Sequence, residues 1–327
     1  MARECRAFLL IISLTLLCVS SHAARPTYPC YRPATAPTLD GDVAGDPAWQ
    51  GIPAATGFSV LGGSYTLAKQ TVARVCWDEQ ALYIGIIAEE PDVARMSLHV
   101  HDGGPFWEDD GVELFFQPGA DKPVFQFGIT AGGARGGVEG APDFTRIQAS
   151  AKAGTDSYSL EVRIPFATLG FTPKVGDTWF GDVCRNIWTT YSGGDKFTCW
   201  APLKHQFNEP EDFAALQFLG TAPTADEAVQ IGEKLNAGYR ADLAGRLGKA
   251  ASQGAEYMPV LDEAAKDAEF GKRAGDLRRQ WRKVDSLRTH AETAPVLEMR
   301  GMIANMDALA RASYELKWAY LIAKLEL

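Results

Sequence analysis

Histidine is scarce, with five in 327 residues. No His-Glu-x-x-His pair, Gly-x-Ser-x-Gly elbow or phosphate-cradling glycine loop ahead of a helix occurs. The commonest metalloprotease, serine hydrolase and nucleotide-binding designs are thereby excluded. Cysteine is also sparse, six in all, and none of the spacings resembles a zinc site. Positive charge is in deficit: 32 Lys and Arg against 41 Asp and Glu give a net charge of -9. Such a surface repels nucleic acid and suits a neutral or cationic partner. Long apolar runs are missing everywhere except the N-terminus, so no other stretch is fit to cross a bilayer.

That exception reads as a secretory leader. Residues 1–24 carry Arg3 and Arg6, an apolar run from Phe8 to Val19, and small residues around Ser21-His22-Ala23. The run is too short to span a bilayer, and Leu17 stands before Cys18 where a lipoprotein signal requires a small residue. The expectation is cleavage after Ala23 or Ala24, export to a periplasmic or extracellular location, and no membrane insertion afterwards. Cys30, Cys76, Cys184 and Cys199 then remain in a compartment where thiols oxidise. Three pairings are open. Cys184 with Cys199 is favoured, because a turn at Ser192-Gly193-Gly194 would set two strands side by side.

Composition changes near residue 220. Six of the eight Trp lie between Pro26 and Leu219, among short alternating segments separated by turn residues. Strands are expected at 71–77, 81–88, 111–117, 124–130, 146–151, 157–164, 179–188, 196–200 and 214–219. No long helix alternates with them, so the fold class is mainly β: residues 25–220 form an antiparallel β-sandwich. The segment 221–327 reads as a C-terminal three-helix region. Thr224 with Glu227 makes a capping box, and Ile231, Leu235, Tyr239, Leu243 and Leu247 form one apolar stripe. A second helix is expected from about Pro259 to His290, with Leu277, Trp281, Val284 and Leu287 inward. A third begins at Pro295, with a core face of Met299, Met302, Ile303, Met306 and Leu309.

Function concentrates in GGPFWEDDGVELFFQPG, Gly103 to Gly119. As a strand, 111–117 sends Val112, Leu114 and Phe116 to one face and Glu113, Phe115 and Gln117 to the other. The next strand sends Gln126, Gly128 and Thr130 outward, and a later one alternates Asp182, Cys184 and Asn186 with Val183, Arg185 and Ile187. Glu113, Gln126 and Asn186 therefore share a polar face. A carboxylate and planar amides beside aromatic rings suit a sugar, whose C–H faces stack while its hydroxyls hydrogen-bond. Trp49, Trp77 and Trp179 fall at core positions, and Arg185 is expected in a buried ion pair. Asp40, Asp42 and Asp46 offer oxygen ligands for a structural calcium ion, or turn-forming side chains.

Five segments in order, CYRPATAPTLDGDVAGDPAW, ARVCWDEQALYIGIIAEEPD, FWEDDGVELFFQPG, YSLEVRIPFATLGFTPKVGDTWFGDVCRN and WAPLKHQFNEPEDFAALQFL, resemble the family 9 carbohydrate-binding modules and their DOMON-like relatives. The resemblance implies a β-sandwich that binds oligo- or polysaccharide without cutting it, has no required cofactor, and serves polysaccharide catabolism beside partner glycoside hydrolases. It assigns Trp107 to stack on the sugar and Glu113 to accept its hydroxyls. Phe207 takes the place of a second stacking tryptophan, and Gly128 replaces an arginine donor. Two rivals stand beside this reading. One is a haem-binding DOMON-like electron-transfer domain using Met96, His99 or His101. The other is a scaffold protein with a vestigial sugar site.

Overall fold

The computed structural model describes residues 25–138, 142–190, 196–291 and 294–325. The expected leader, the turn at Ser192-Gly193-Gly194 and the Leu287 side chain lie outside the described residues. The strands are β1 (Thr27–Arg32), β2 (Ser59–Val60), β3 (Thr71–Trp77), β4 (Ala81–Glu89), β5 (Gly111–Gln117), β6 (Phe125–Thr130), β7 (Arg135–Gly137), β8 (Gln148–Ala153), β9 (Ser157–Pro165), β10 (Thr178–Asn186), β11 (Phe197–Cys199) and β12 (Ala214–Thr221). A short helix, α1 (Phe166–Leu169), precedes β10. The helices α2 (Ala225–Leu235), α3 (Ala237–Ala264), α4 (Gly271–Ala291) and α5 (Val296–Leu325) complete the chain.

Two sheets face each other. One runs β7-β6-β5-β10-β12-β1, with β11 and β2 continuing from the far half of β10; the other runs β3-β4-β9-β8, and β1 joins the two edges. Alternation fills the space between them, with Leu114, Phe116 and Phe127 from the first sheet meeting Ile84, Ile86, Leu160 and Val162 from the second. Trp77 and Trp179 lie in this core, while Trp49 is buried against the outer side of the second sheet with Val43, Cys76 and Tyr83. Pairing is antiparallel except at β1, which runs parallel to both β12 and β3.

The first expected helix is divided. The chain leaves helical geometry at Asn236, whose Oδ1 accepts from the Thr56 backbone N–H at 2.9 Å and whose Nδ2 donates to the Ala54 carbonyl at 3.1 Å. The apolar stripe is thus shared by α2 and α3. The second helix does not begin at Pro259: that residue lies inside α3, which continues to Ala264, and α4 starts at Gly271. The third starts at Val296, directly after Pro295. Helices α3, α4 and α5 bury Leu243, Leu247, Leu277, Trp281, Val284 and the methionine stripe of α5 in a core of their own. No helix among the described residues is long and apolar enough to cross a membrane.

Candidate functional site

On β5, Glu113 stands opposite Gly128 of β6 and Cys184 of β10, with Gln126 and Asn186 diagonal to it. The diagonal neighbours close on the carboxylate. Gln126 Nε2 donates to Glu113 Oε2 at 2.7 Å, and Asn186 Nδ2 donates to Oε1 at 2.9 Å. Glu113 is 5 % exposed, and burial raises its carboxyl above the ordinary glutamate value, although both amides favour the charged form. Because Glu113 can only accept when ionised, it fixes the Asn186 amide with its NH2 inward. Asn186 Oδ1 is then left buried without a hydrogen-bond partner. An orphaned acceptor of this kind costs about 1–3 kcal/mol until a donor reaches it.

The mouth is built by a 3-10 turn, Phe106–Glu108. The Phe106 ring lies over β6 and β7: a Cβ on Gly128 would stand 1.8 Å from it, and one on Gly136 2.5 Å. Gly128 is therefore the seat of a ring, and no side chain, arginine included, fits there with Phe106 in place. Trp107 rests edge-on against Phe106 at 4.9 Å and stays 46 % exposed. Its carbonyl accepts from Trp188 Nε1 at 2.9 Å. The neighbouring acids are structural. Asp110 accepts from the Ser97 and Trp188 backbone N–H groups, while Asp109 accepts from those of His99 and Val100 and from the Ser97 hydroxyl. The run WEDDG thus ties the tryptophan turn to the loop before it and to the end of β10.

Two exposed aromatics at this mouth are absent from the sequence expectation. Trp188 is 38 % exposed with Lys196 Nζ 4.5 Å from its ring centre, and Phe197, paired with Asn186 across β10 and β11, is 36 % exposed. Trp188 was readable, since it stands two residues after Asn186. Phe197 was not, because its place depends on the register of a strand read only approximately. Phe207 is half-buried against the Phe115, Leu203 and Phe213 cluster and touches Phe197 edge-on at 5.9 Å. It reaches the site through Phe197.

The remaining candidates are engaged elsewhere. Asp46 accepts from the Thr38 and Ala48 N–H groups, Asp40 from that of Asp42, and Asp42 from Gly45 and Lys152. Among the described residues no group of three or more His, Cys, Asp or Glu is placed to hold a metal ion. Met96 packs on the sandwich core, the His99 ring meets Asp109 and Ser97, and His101 is exposed, all on one loop. Arg185 is buried with Glu90 at 3.5 Å and donates to the Lys69 and Glu89 carbonyls. Cys184 and Cys199 stand opposite each other as expected, but the four cysteines among the described residues are free thiols, so no disulfide is formed among them.

A family model, "Carbohydrate family 9 binding domain-like", matches residues 39–218, which is more than half of the chain and contains every residue of this site. The chain belongs to that family. Among solved structures, this family 9 member is similar to a family 9 carbohydrate-binding module from Caldicellulosiruptor kristjanssonii in complex with cellotriose (17 % identity, TM-score 0.47, covering 60 % of this chain and 95 % of that one). The same module with glucose gives 18 % identity and a TM-score of 0.46, over 60 % and 98 % of the two chains. A candidate carbohydrate-binding protein from Bacteroides uniformis gives 18 % identity and 0.48, over 60 % and 100 %. A search of curated proteins finds no match.

Proposed function

We propose that this family 9 member is an exported, non-catalytic carbohydrate-binding protein that serves polysaccharide catabolism beside glycoside hydrolases. The observation that carries the reading is the Glu113, Gln126 and Asn186 triad with its unpartnered Asn186 Oδ1, set beneath exposed Trp107 and Trp188. A pyranose stacks a C–H face on indole while its hydroxyls donate to Asn186 Oδ1 and to the Glu113 carboxylate. The placement of the acids supports a non-catalytic role. Hydrolysis needs two carboxyls flanking one glycosidic bond about 5–9.5 Å apart, one of them protonating the leaving oxygen. Here Asp109 and Asp110 are buried and occupied by backbone N–H groups, and Asp182, on the same face as Glu113, is buried and held by the Val183 and Ala201 N–H groups.

Because a family member is described with cellotriose and with glucose, cello-oligosaccharides are the first ligands to test, followed by a broad glycan array. Calorimetric titration of the full chain is expected to show binding that Trp107→Ala weakens about tenfold or more, the loss of one stacking face. Absence of binding by the unaltered chain across plant, algal and host glycans would sink the proposal.

A further inference from the structure

The β10–β11 ladder places two of the four cysteines on one rung. Ile187 N–H donates to the Lys196 carbonyl at 2.8 Å and Trp200 N–H to the Val183 carbonyl at 3.2 Å. These are hydrogen-bonded rungs, and alternation makes 185/198 a third. Cys184 and Cys199 therefore occupy a rung without backbone hydrogen bonds, where Cα atoms approach to about 4.5 Å and side chains stand closest. A disulfide spans Cα separations of roughly 4.4–6.8 Å. Both thiols are buried in one cluster with Phe115, Leu203 and Phe213, near enough to act on each other electrostatically. They now point to other partners, Cys184 Sγ to Asp182 at 3.7 Å and Cys199 Sγ to the Ser59 carbonyl at 3.8 Å.

Cys30 is also near enough to raise the Cys76 thiol, but the two do not share a rung. Tyr31 is the register partner of Cys76, so Cys30 projects from the other side of its strand. It faces the core between the sheets, whereas Cys76 packs outside with Val43 and Trp49.

We propose that Cys184 and Cys199 form a single cross-strand disulfide in the oxidised protein, with Cys30 and Cys76 remaining thiols. The oxidant is a disulfide, either glutathione disulfide or the disulfide of a protein oxidoreductase. One cysteine thiolate attacks a donor sulfur, forming a mixed disulfide and releasing one donor thiolate. The second cysteine thiolate then displaces the other, so two protons leave the protein and the donor gains two electrons. Burial pushes the Cys199 thiol up to about 12 and the Cys184 thiol well above its ordinary value, so the folded dithiol is a poor nucleophile. The bond belongs to folding, before β11 closes on β10. Its effect is to staple the hairpin that carries Asn186, Trp188 and Phe197.

The test is independent of any sugar. The full chain is refolded from denaturant in a glutathione redox buffer, alkylated, digested with trypsin without reduction, and mapped by mass spectrometry. The expected product joins Val175–Arg185 to Phe197–Lys204, about 2 Da lighter than the two peptides together, with Cys30 and Cys76 alkylated. The reduced control should melt lower, by on the order of 10 °C. Cys184 and Cys199 both recovered alkylated, or a bond between any other pair, overturns the proposal.

Discussion

Asp182 shows how one buried atom pair can govern the response to pH. It lies on the face of β10 that carries Cys184 and Asn186, accepts from the Val183 and Ala201 N–H groups, and makes no ion pair among the described residues, so burial raises its carboxyl from 3.8 to about 8. Below about pH 4 the folded and unfolded carboxyls are both protonated and the contribution of the group is intact. As pH rises towards 8 the unfolded chain ionises first, so that contribution is lost, by on the order of 5 kcal/mol across the window. Asp182→Asn keeps the acceptor and removes the titration. Urea unfolding at pH 4, 6 and 8 should find the variant gaining on the unaltered chain at each step; a constant difference would show that Asp182 is ionised in the fold. At this same scale much of the site was legible. Glu113, Gln126 and Asn186 follow from period-two alternation alone. The reason for Gly128 was not, because the ring that occupies its space comes from Phe106, more than twenty residues earlier, and only the folded chain brings the two together.

Elements were legible where their own side chains carry the pattern, and obscure where a neighbour decides. β3, β4, β5 and β9 alternate or run apolar and were placed within a residue or two. β1 was missed: Pro29 interrupts it, and its parallel partners β12 and β3 lie elsewhere in sequence. The break at Asn236 is likewise set from outside, by the Ala54 and Thr56 backbone groups that its amide satisfies. Helix α3 offers a test of packing against propensity. Gly254 sits mid-helix, where alanine ordinarily gains about 1 kcal/mol. A Cβ there would stand 2.1 Å from the Trp281 ring of α4, whose Nε1 is held by Ser313 of α5 at 2.9 Å. With the ring anchored, Gly254→Ala is expected to lower stability by about 1–3 kcal/mol. Thermal unfolding measures it, and a stabilised variant would show that α3 and α4 separate easily.

At the scale of the whole molecule the question is why a sandwich that already has a core carries a helical region. The two meet along residues 54–70. Tyr239 Oη donates to the Thr66 carbonyl, Arg246 to that of Tyr65, and Arg300 to that of Leu67 while gripping Glu89 with both arms of its guanidinium at 2.6 Å. Two residues beyond Leu67, Lys69 takes a left-handed backbone (φ 53°), and its Nζ reaches Glu90 at 3.0 Å and Thr189 at 2.7 Å. Thr189 in turn donates to Glu90 and follows directly on Trp188. One short segment therefore links the helical region to the loop bearing Trp188, an aromatic of the candidate site. Arg300→Ala removes the bidentate pair and leaves Glu89 the Gln70 N–H and solvent, an expected loss of about 2 kcal/mol. Urea unfolding followed by tryptophan fluorescence and by far-ultraviolet circular dichroism distinguishes the consequences. If the helices brace the sandwich, both probes shift together to lower urea, as a cooperative unit requires. If the helical signal falls alone while the sandwich keeps its midpoint, the segment 54–70 holds its shape without the helices and the bracing role is refuted.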